Sequence, residues 1–369
     1  MLHNTVKFSK NHNEEFYKVL RKRVGDYFKV NNISRHANAS MVFKTIALLV
    51  IYLTPLVLIL TIAMPIWLVL LMWTIMGFGM AGVGLSVMHD ANHGAYSKNE
   101  SVNKLIGRVI VFLGGNDVNW KIQHNVLHHT YTNVTGIDED IEPPEALLRF
   151  SPNKKRVPLH RFQHVYAWFF YGLMTMFWFI SKDYKQARRY KKMGLIESQG
   201  ITYTNHWITI IASKIGFAVL FIVLPILLCE TPWYITIIGF CIMQFISGLT
   251  LGAIFQPAHV VPTSNYPMPD DSGNIDADWA VNQLYNTANF APKARLFSWY
   301  VGGLNYQVEH HLFPNICHVH YRKIAHIVKE TALEYKLPYH SYKTFAGALI
   351  EHTKMLYNLG HYDNAPAIH

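Results

Sequence analysis

The chain has 369 residues, of which 51% are hydrophobic and 14% aromatic, while only 15% are charged. Charged residues make up about a quarter of an ordinary soluble domain, so this composition excludes a typical soluble protein of two or three domains. The formal net charge of +10 favours attraction to anionic lipid at a cytoplasmic membrane face. Nucleic acid is not expected as a partner, because the basic residues belong to no nucleic-acid-binding module.

The first 40 residues are polar and basic, and they contain no apolar stretch of the kind found in signal peptides. We expect residues 1–40 to form an amphipathic, helical arm on the membrane surface, with the start of the chain in the cytoplasm. Four apolar runs follow, at residues 41–63, 66–88, 207–228 and 233–255. Each run is long enough to cross a bilayer, which takes about 20 residues as a helix.

The connections within each pair of predicted spans are very short. Residues 64–65 and 229–232 contain no Lys or Arg, whereas the long segments outside the spans are basic. Because cytoplasmic loops carry the excess of Lys and Arg, this pattern predicts an M-shaped, multi-pass protein with both termini in the cytoplasm. A further aromatic run at 165–181 has basic clusters on both sides, so we expect it to lie in the membrane interface and not to span.

The expected fold is therefore all-α. It comprises the arm, a membrane domain at 41–330 with four transmembrane helices and a cytoplasmic helical cap, and a C-terminal cytoplasmic helical tail at 331–369. One charge lies inside a predicted span: Lys214 either reaches the bilayer surface or faces a polar interior. The acidic run at 138–142 is expected to be a solvated loop.

Histidines cluster just beyond the predicted spans, on the side expected to be cytoplasmic. The stretches HDANH (89–93), HNVLHH (124–129) and QVEHH (307–311) contain seven of them, and His259 follows the fourth apolar run. Histidines four positions apart, as in the first two stretches, share one face of an α-helix. Such pairs are suitably placed to bind one metal ion together.

Each cluster alone is compatible with an ordinary His-rich surface, and a single histidine such as His259 is more often a structural residue of a protein core. Together the eight imidazoles favour a first-row transition metal. Zinc would use about four ligands and leave the others unexplained, so one or two iron ions are expected. Iron beside a membrane indicates dioxygen chemistry on a lipidic substrate, since no acid or base side chain removes hydrogen from an unactivated methylene.

The three stretches HDANH, HNVLHH and QVEHH, at these separations, resemble the histidine boxes of the membrane fatty-acid desaturases. The resemblance covers about residues 40–330. It implies an enzyme that uses dioxygen and two iron ions to introduce a double bond into an acyl chain carried by coenzyme A or a glycerolipid. The ligands implied in this way are His89, His93, His124, His128, His129, His259, His310 and His311, with Gln307 as a further candidate.

Gln307 stands where many desaturases have histidine, and this form of the third box resembles the front-end desaturases. Those enzymes insert a double bond between an existing one and the carboxyl end of the chain. Many of them carry a fused cytochrome domain with a His-Pro-Gly-Gly motif, which this sequence lacks. A separate electron donor, a ferredoxin or a cytochrome of the b type, is therefore expected as a partner.

Two neighbours of the histidines and two other functions remain open. Asp90 and Glu309 are candidates to orient the adjacent imidazoles, ordinary surface charge being the alternative. A membrane hydroxylase of lipid substrates would use the same kind of His-rich site. A metal transporter or a haem-binding membrane protein is disfavoured, because a transporter holds its ligands near the middle of the bilayer and not beyond the ends of the spans.

Overall fold

The computed structural model describes residues 6–9, 14–143 and 147–363. Residues 1–5 and 10–13 of the expected arm, and residues 364–369 of the expected tail, lie outside this part. The described chain is mostly helical, with two short two-stranded sheets, which confirms the all-α expectation. It divides into two compact units, and the division does not follow the order of the chain.

One unit, called the membrane unit below, comprises residues 38–122 and 168–253. The α-helices that begin in it are Ala39–Thr61, Ile66–Gly82, His89–Asn92, Glu100–Gly107, Asp117–Trp120, Met174–Phe177, Asp183–Met193, Tyr203–Ala218, Leu224–Leu228 and Trp233–His259. Segments with the wider π-helical turn are Val83–Met88, Lys121–His128, Trp178–Lys182 and Val219–Val223, and 3₁₀ turns are Arg108–Leu113 and Glu197–Gln199.

Four continuous helices in the described part are long and apolar enough to cross a membrane: Ala39–Thr61, Ile66–Asn92, Tyr203–Leu228 and Trp233–His259. They contain almost all of the four predicted apolar runs, with ends shifted by a few residues. Large apolar side chains on them are exposed, for example Phe43 at 67% and Ile46 at 58%. Exposed residues of this kind in an apolar span are suited to contact lipid, which fits a multi-pass membrane protein.

Small residues let the first two spans approach closely. A Cβ atom added to Gly79 would lie 2.7 Å from the backbone nitrogen of Tyr52. Only glycine fits such a contact, which is the usual role of small residues where membrane helices cross. Asn38 begins the first span, because its side chain accepts a hydrogen bond from the N–H group of Met41.

Lys214 faces a polar interior, which decides between the two possibilities left by the sequence. Its side chain is 6% exposed and pairs with the Asp183 carboxylate. The ammonium group also donates to the main-chain oxygens of Gly114 and, at 2.8 Å, of Trp178. Asn119 completes the network by donating to Asp183 Oδ1 at 3.1 Å. The ion pair thus ties together separate segments of the membrane unit.

The aromatic run at 165–181 forms helix Gln163–Gly172, helix Met174–Phe177 and part of the π-helical turn Trp178–Lys182. It is not among the candidate spans of the described residues. Its expected place, in the interface and not across the membrane, stays a prediction.

The other unit, called the imidazole unit, comprises residues 1–37, 123–167 and 254–369. It contains α-helices Glu14–Val30, Gln163–Gly172, Trp279–Asn286, Arg295–Tyr300, Gln307–Leu312, Tyr321–Glu334 and Phe345–His361. Its 3₁₀ turns are Glu139–Ile141, Pro158–Phe162 and His318–His320. Two parallel strand pairs, Lys7–Phe8 with Asn274–Ile275 and Ala288–Phe290 with His340–Tyr342, join segments that are far apart in sequence.

The apolar face of helix Glu14–Val30 is buried inside the imidazole unit. Phe16, Leu20 and Val24 are at most 2% exposed and belong to one core with Ile324 and Val328 of helix Tyr321–Glu334. The sequence suggested that this face lies on the membrane surface. It is instead occupied by protein contacts, and the same core includes residues of the third histidine stretch.

Candidate metal centre

The second histidine stretch is a π-helix and not the α-helix assumed from the sequence. Helix Lys121–His128 follows directly on helix Asp117–Trp120. The N–H group of His129 donates to the carbonyl oxygen of His124 at 2.9 Å, five residues back. The wider turn therefore brings His124 and His129 together, with ring centroids 4.8 Å apart. Such π-helical turns occur frequently at functional sites.

Three imidazoles from distant parts of the imidazole unit meet in its interior. His128, His259 and His311 are each fully buried, and they offer ring nitrogens that lie within 4.8 Å of one another. The Nε2 atoms of His128 and His259 have no hydrogen-bond partner among the described residues. Burying such polar atoms without a partner is costly, so this arrangement fits a metal ion that accepts their lone pairs.

Each of these three rings is held through its other nitrogen, Nδ1. The partners are the Asp138 carboxylate for His128 (2.9 Å), the main-chain oxygen of Asn286 for His259 (3.0 Å) and Oε1 of Gln283 for His311 (2.8 Å). All three partner oxygens can only accept a hydrogen bond. Nδ1 therefore carries the proton in each ring, and Nε2 keeps the lone pair that a metal needs.

A second group of three imidazoles lies beside the first. The Nε2 atom of His129 is 3.3 Å from that of His124 and 3.0 Å from that of His310. His124 donates from Nδ1 to Asp140 at 2.7 Å, and Nδ1 of His310 is 3.2 Å from the hydroxyl group of Tyr321. Three converging Nε2 atoms again match the donor set of a transition metal.

The buried Asp138–His128 pair shifts both pKa values. Burial alone would lower the pKa of His128, but the Asp138 carboxylate outweighs it, so that the net shift is upward. Burial raises the pKa of Asp138, although the hydrogen bond with His128 opposes the rise. The N–H group of Asn133 donates to the same carboxylate at 2.9 Å. Asp138 is therefore fixed from two sides and holds the His128 ring in one orientation.

Asp138 and Asp140 come from the acidic run that the sequence suggested was a solvated loop, and that interpretation was wrong for these two residues. Asp138 is 0% exposed, and Asp140 also accepts a hydrogen bond from Gln123. Carboxylates that bind the second nitrogen of a ligand histidine usually tune its basicity and orientation. The available signal was the spacing of the two aspartates, with Asp138 ten residues after His128 and Asp140 sixteen residues after His124.

Glu309 has a different role from the one considered for it. It is buried, and its two oxygens accept hydrogen bonds from the Tyr339 hydroxyl and the Asn289 side chain, both at 2.8 Å. Burial raises the pKa of Glu309 to about 7, although these two hydrogen bonds lower it in part. Asn289 also accepts from the N–H group of Val308 at 2.9 Å. The carboxylate thus fixes the helix that carries the third histidine stretch.

Gln307 is 1% exposed, and its side-chain nitrogen donates to the main-chain oxygen of Leu304 at 2.8 Å. Its Oε1 atom has no hydrogen-bond partner among the described residues. A buried carbonyl oxygen without a partner is compatible with a metal ligand. The side-chain nitrogen is meanwhile held in place by the main chain.

The first histidine stretch lies in the membrane unit. His89 and His93 have ring centroids 4.7 Å apart, and both stand edge-on to the Trp120 ring at 5.6 and 5.5 Å. Asp90 Oδ1 is 3.9 Å from His89 Nδ1, which is beyond hydrogen-bonding distance. Trp120 was not singled out from the sequence, because one aromatic residue in an aromatic-rich chain carries no distinctive pattern.

These residues fit a transition metal by their chemistry. Within the imidazole unit, imidazoles converge in two groups of three, and in the first group each Nδ1 atom is held by an acceptor. Each group has buried nitrogens facing one another. Soft thiolate ligands are absent from both groups, and imidazole nitrogens suit iron, copper, nickel and zinc.

Comparison with known proteins gives the class to which this site belongs. The family model for fatty acid desaturases matches residues 65–343. The chain is 37% identical over 343 residues to an sn-1 linoleoyl-lipid 6-desaturase of Arthrospira platensis, covering 90% of this chain and 89% of the relative. It is 34% identical to a protein of the same description from Synechocystis, covering 94% and 95%.

A more distant relative is an acyl-lipid (8-3)-desaturase of Physcomitrium patens. It is 32% identical over 357 residues, which are 96% of this chain and 74% of the relative. The family match covers more than half of the chain and includes all three histidine stretches. The chain therefore belongs to the fatty acid desaturase family. It is an oxidoreductase of lipid metabolism, as the resemblance of the three boxes implied, and its substrate is a lipid.

Proposed function

We propose that this enzyme is a front-end desaturase of acyl chains esterified to a glycerolipid, with a linoleoyl chain as the preferred substrate. Two independent observations support the proposal. Gln307 gives the third box its front-end form. Two of the relatives are described as linoleoyl-lipid 6-desaturases, and their match covers about nine tenths of both chains or more. The same descriptions favour a lipid over coenzyme A as the acyl carrier.

Two iron ions are the proposed cofactor, with dioxygen as co-substrate. The observation that carries this proposal is the convergence of His128, His259 and His311, whose proton-bearing Nδ1 atoms are all held by acceptors. When bound, iron would supply the oxidising power to remove hydrogen from an unactivated methylene group. The proposed ligands are His89, His93, His124, His128, His129, His259, His310 and His311, and Gln307 is a further candidate.

The first box, His89 and His93, belongs to this ligand set on its sequence pattern. In the other boxes, the protein's own contribution is orientation. Asp138 and Asp140 fix two rings of the second box, and Gln283 fixes one ring of the third. Because these groups are buried and already hydrogen-bonded, the nitrogens need little rearrangement to bind a metal.

The overall reaction requires an electron source. Each double bond formed removes two hydrogens from the chain, and dioxygen is reduced to two waters with two electrons and two protons from outside the substrate. A separate one-electron carrier, a ferredoxin or a cytochrome of the b type, is proposed as the donor. The proposed topology places both termini and the histidines in the cytoplasm, where such carriers are reduced.

Expression in a host of known fatty-acid profile tests this function. The host is fed linoleate and, separately, stearate, and new double bonds are located by gas chromatography with mass spectrometry. We expect linoleate to gain a double bond on its carboxyl side and stearate to remain unchanged. Conversion of stearate alone would contradict the front-end proposal, and a hydroxylated product would contradict desaturation.

Metal analysis of the purified protein tests the proposed cofactor. We expect about two iron ions per chain in the wild type. One zinc ion and no iron would contradict the proposed cofactor.

A further inference from the structure

The charges of the imidazole unit are unevenly distributed over one pair of helices. Helices Glu14–Val30 and Tyr321–Glu334 pack side by side in opposite directions, since Phe16 contacts Tyr335 and Phe28 contacts His320, with ring centroids 5.7 and 5.2 Å apart. The acidic residues Glu330 and Glu334 lie toward one end of the pair. The opposite end is the one that contains Phe28 and His320.

That opposite end is basic. Residues 27–36 and 317–329 contain no Asp or Glu. The two segments meet there, because the N–H group of Cys317 donates to the main-chain oxygen of Arg35 at 2.9 Å. These segments contain five exposed cations, with Asp26 and Glu330 as the next acidic residues in sequence. The four that lie toward this end define a surface called the basic end: Lys29, Arg35, Arg322 and Lys323.

One side of the basic end adjoins a side chain that contacts the candidate metal centre. Arg322 and Lys323 follow Tyr321, which is 1% exposed and whose hydroxyl group is 3.2 Å from Nδ1 of His310. A molecule bound at Arg322 and Lys323 would thus lie beside the residue that contacts a proposed iron ligand.

We propose that the basic end is the docking surface of the electron donor, an acidic one-electron carrier protein that delivers its electrons beside Tyr321. This rests on the proposed function, which requires two such electrons for each double bond. Two carrier molecules are oxidised in turn, and together with two protons their electrons complete the reduction of one dioxygen to two waters. Complementary charge would speed the encounter and orient the carrier.

An anionic lipid surface is the competing partner, and the structure favours a protein. A helix that binds in a lipid surface inserts its apolar face. Here that face, with Phe16, Leu20 and Val24, is buried in the protein core. Val30 and Ile33, within residues 27–36, are exposed at 84% and 36%, and these residues lead into the first span, so lipid is the natural contact of Lys29 and Arg35. The protein partner is assigned to Arg322 and Lys323, which adjoin Tyr321, and the test reverses only these two charges.

The test uses the full chain in nanodiscs and the double variant R322E/K323E. The electron source is an acidic [2Fe–2S] ferredoxin at low ionic strength. We expect its KM to rise at least tenfold, with the rate at saturating ferredoxin unchanged. The wild-type rate should fall as salt is added, and the variant should lose most of this salt dependence. The milder variant R322Q/K323Q should raise the KM for ferredoxin by a smaller factor. It replaces R322E/K323E in the test if the charge reversal disturbs folding.

The matched control is K185E/K192E, which makes the same change of charge at exposed positions of helix Asp183–Met193. Its KM for ferredoxin should stay within twofold of wild type. Equal effects of the two variants would overturn the proposal. So would an effect of R322E/K323E that appears in phosphatidylglycerol discs and vanishes in phosphatidylcholine discs, since the surface would then recognise lipid.

A second electron source separates this proposal from the proposed function. Dithionite is a small reductant and needs no docking surface. Because it also consumes dioxygen, it is used to reduce the protein without air, the excess is removed, and air is then admitted for a single turnover. R322E/K323E should form as much unsaturated lipid in this turnover as wild type. If wild type forms no double bond with either reductant, the proposed function is contradicted. If wild type is active and R322E/K323E has the same KM for ferredoxin as wild type, the proposed docking surface is contradicted.

Discussion

Each unit of this protein buries an ion pair, and the two pairs differ in what they leave unsatisfied. In the membrane unit, the Lys214 ammonium group has three acceptors for its three hydrogens. In the imidazole unit, His128 donates to Asp138 from one nitrogen, and its second nitrogen has no hydrogen-bond partner among the described residues. The Lys214–Asp183 ion pair, whose ammonium hydrogens all have acceptors, can only stabilise the packing of helices. The His128–Asp138 pair keeps a nitrogen lone pair on His128 that can bind a ligand.

The largest effect is expected from removing His128, the member of the second pair whose Nε2 atom has no hydrogen-bond partner among the described residues. We expect His128→Ala to reduce desaturation more than about 100-fold, because it removes a proposed iron ligand, while the protein still folds. Product formation and iron content are measured on the purified variant. His164→Ala is the control, since His164 lies outside the boxes and packs edge-on against Tyr357. Full activity in the His128 variant would remove this residue from the centre.

Substitutions in the Lys214–Asp183 ion pair should change the stability of the protein and not the reaction that it catalyses. Lys214→Met leaves the Asp183 carboxylate buried without its partner, and we expect a loss of about 3–5 kcal/mol in unfolding free energy. The double variant K214M/D183L removes both charges and should recover most of that loss. Denaturation in detergent measures both variants. A double variant as unstable as the single one would show that the individual hydrogen bonds, and not the pairing, matter.

The residue that orients the ligand should matter less than the ligand itself. Asp138→Asn keeps the shape but removes the charge that fixes the His128 ring, and we expect roughly a 10–100-fold loss of activity or iron affinity. Glu142→Gln changes the same charge in the same run, where it pairs with Lys154 at 3.2 Å. That control should stay near wild type. Equal losses in the two variants would mean that the acidic run acts as a whole.

The smallest expected effect concerns acid stability. His352 is fully buried and donates from Nδ1 to the main-chain oxygen of Val260 at 2.8 Å, and burial lowers its pKa to about 4. The unfolded chain gains this proton near pH 6.5, whereas the folded protein resists it until about pH 4. Stability is therefore lost as the pH falls through this window, by about 1.5 kcal/mol between pH 6.5 and 5.

A His352→Asn variant checks this window. Its amide can still donate to Val260 but does not titrate, so its unfolding free energy should fall less steeply between pH 6.5 and 5 than that of wild type. Parallel slopes for the two proteins would exclude His352 as the source of the pH dependence.

The sequence predicted the features that local pattern determines. Apolar runs define the spans, and histidines a few positions apart define the boxes, because both signals lie within one segment. The residues that hold the rings could not be found in this way. Gln283 is neutral and common, and Asn286 contributes only a main-chain oxygen. They meet histidines 28 and 27 positions away, respectively, only after folding. Asp138 was missed because an acidic run in sequence has the same appearance whether it is solvated or buried.

The π-helix at Lys121–His128 makes the length of this segment as important as its composition. Relative to an α-helix, the wider turn accommodates an extra residue over the same rise. In a regular α-helix of the same length, His124 and His129, five positions apart, would lie about 140° apart around the axis. In evolution this stretch can exchange many of its residues, but a return to a regular α-helix at its present length would separate His124 from His129.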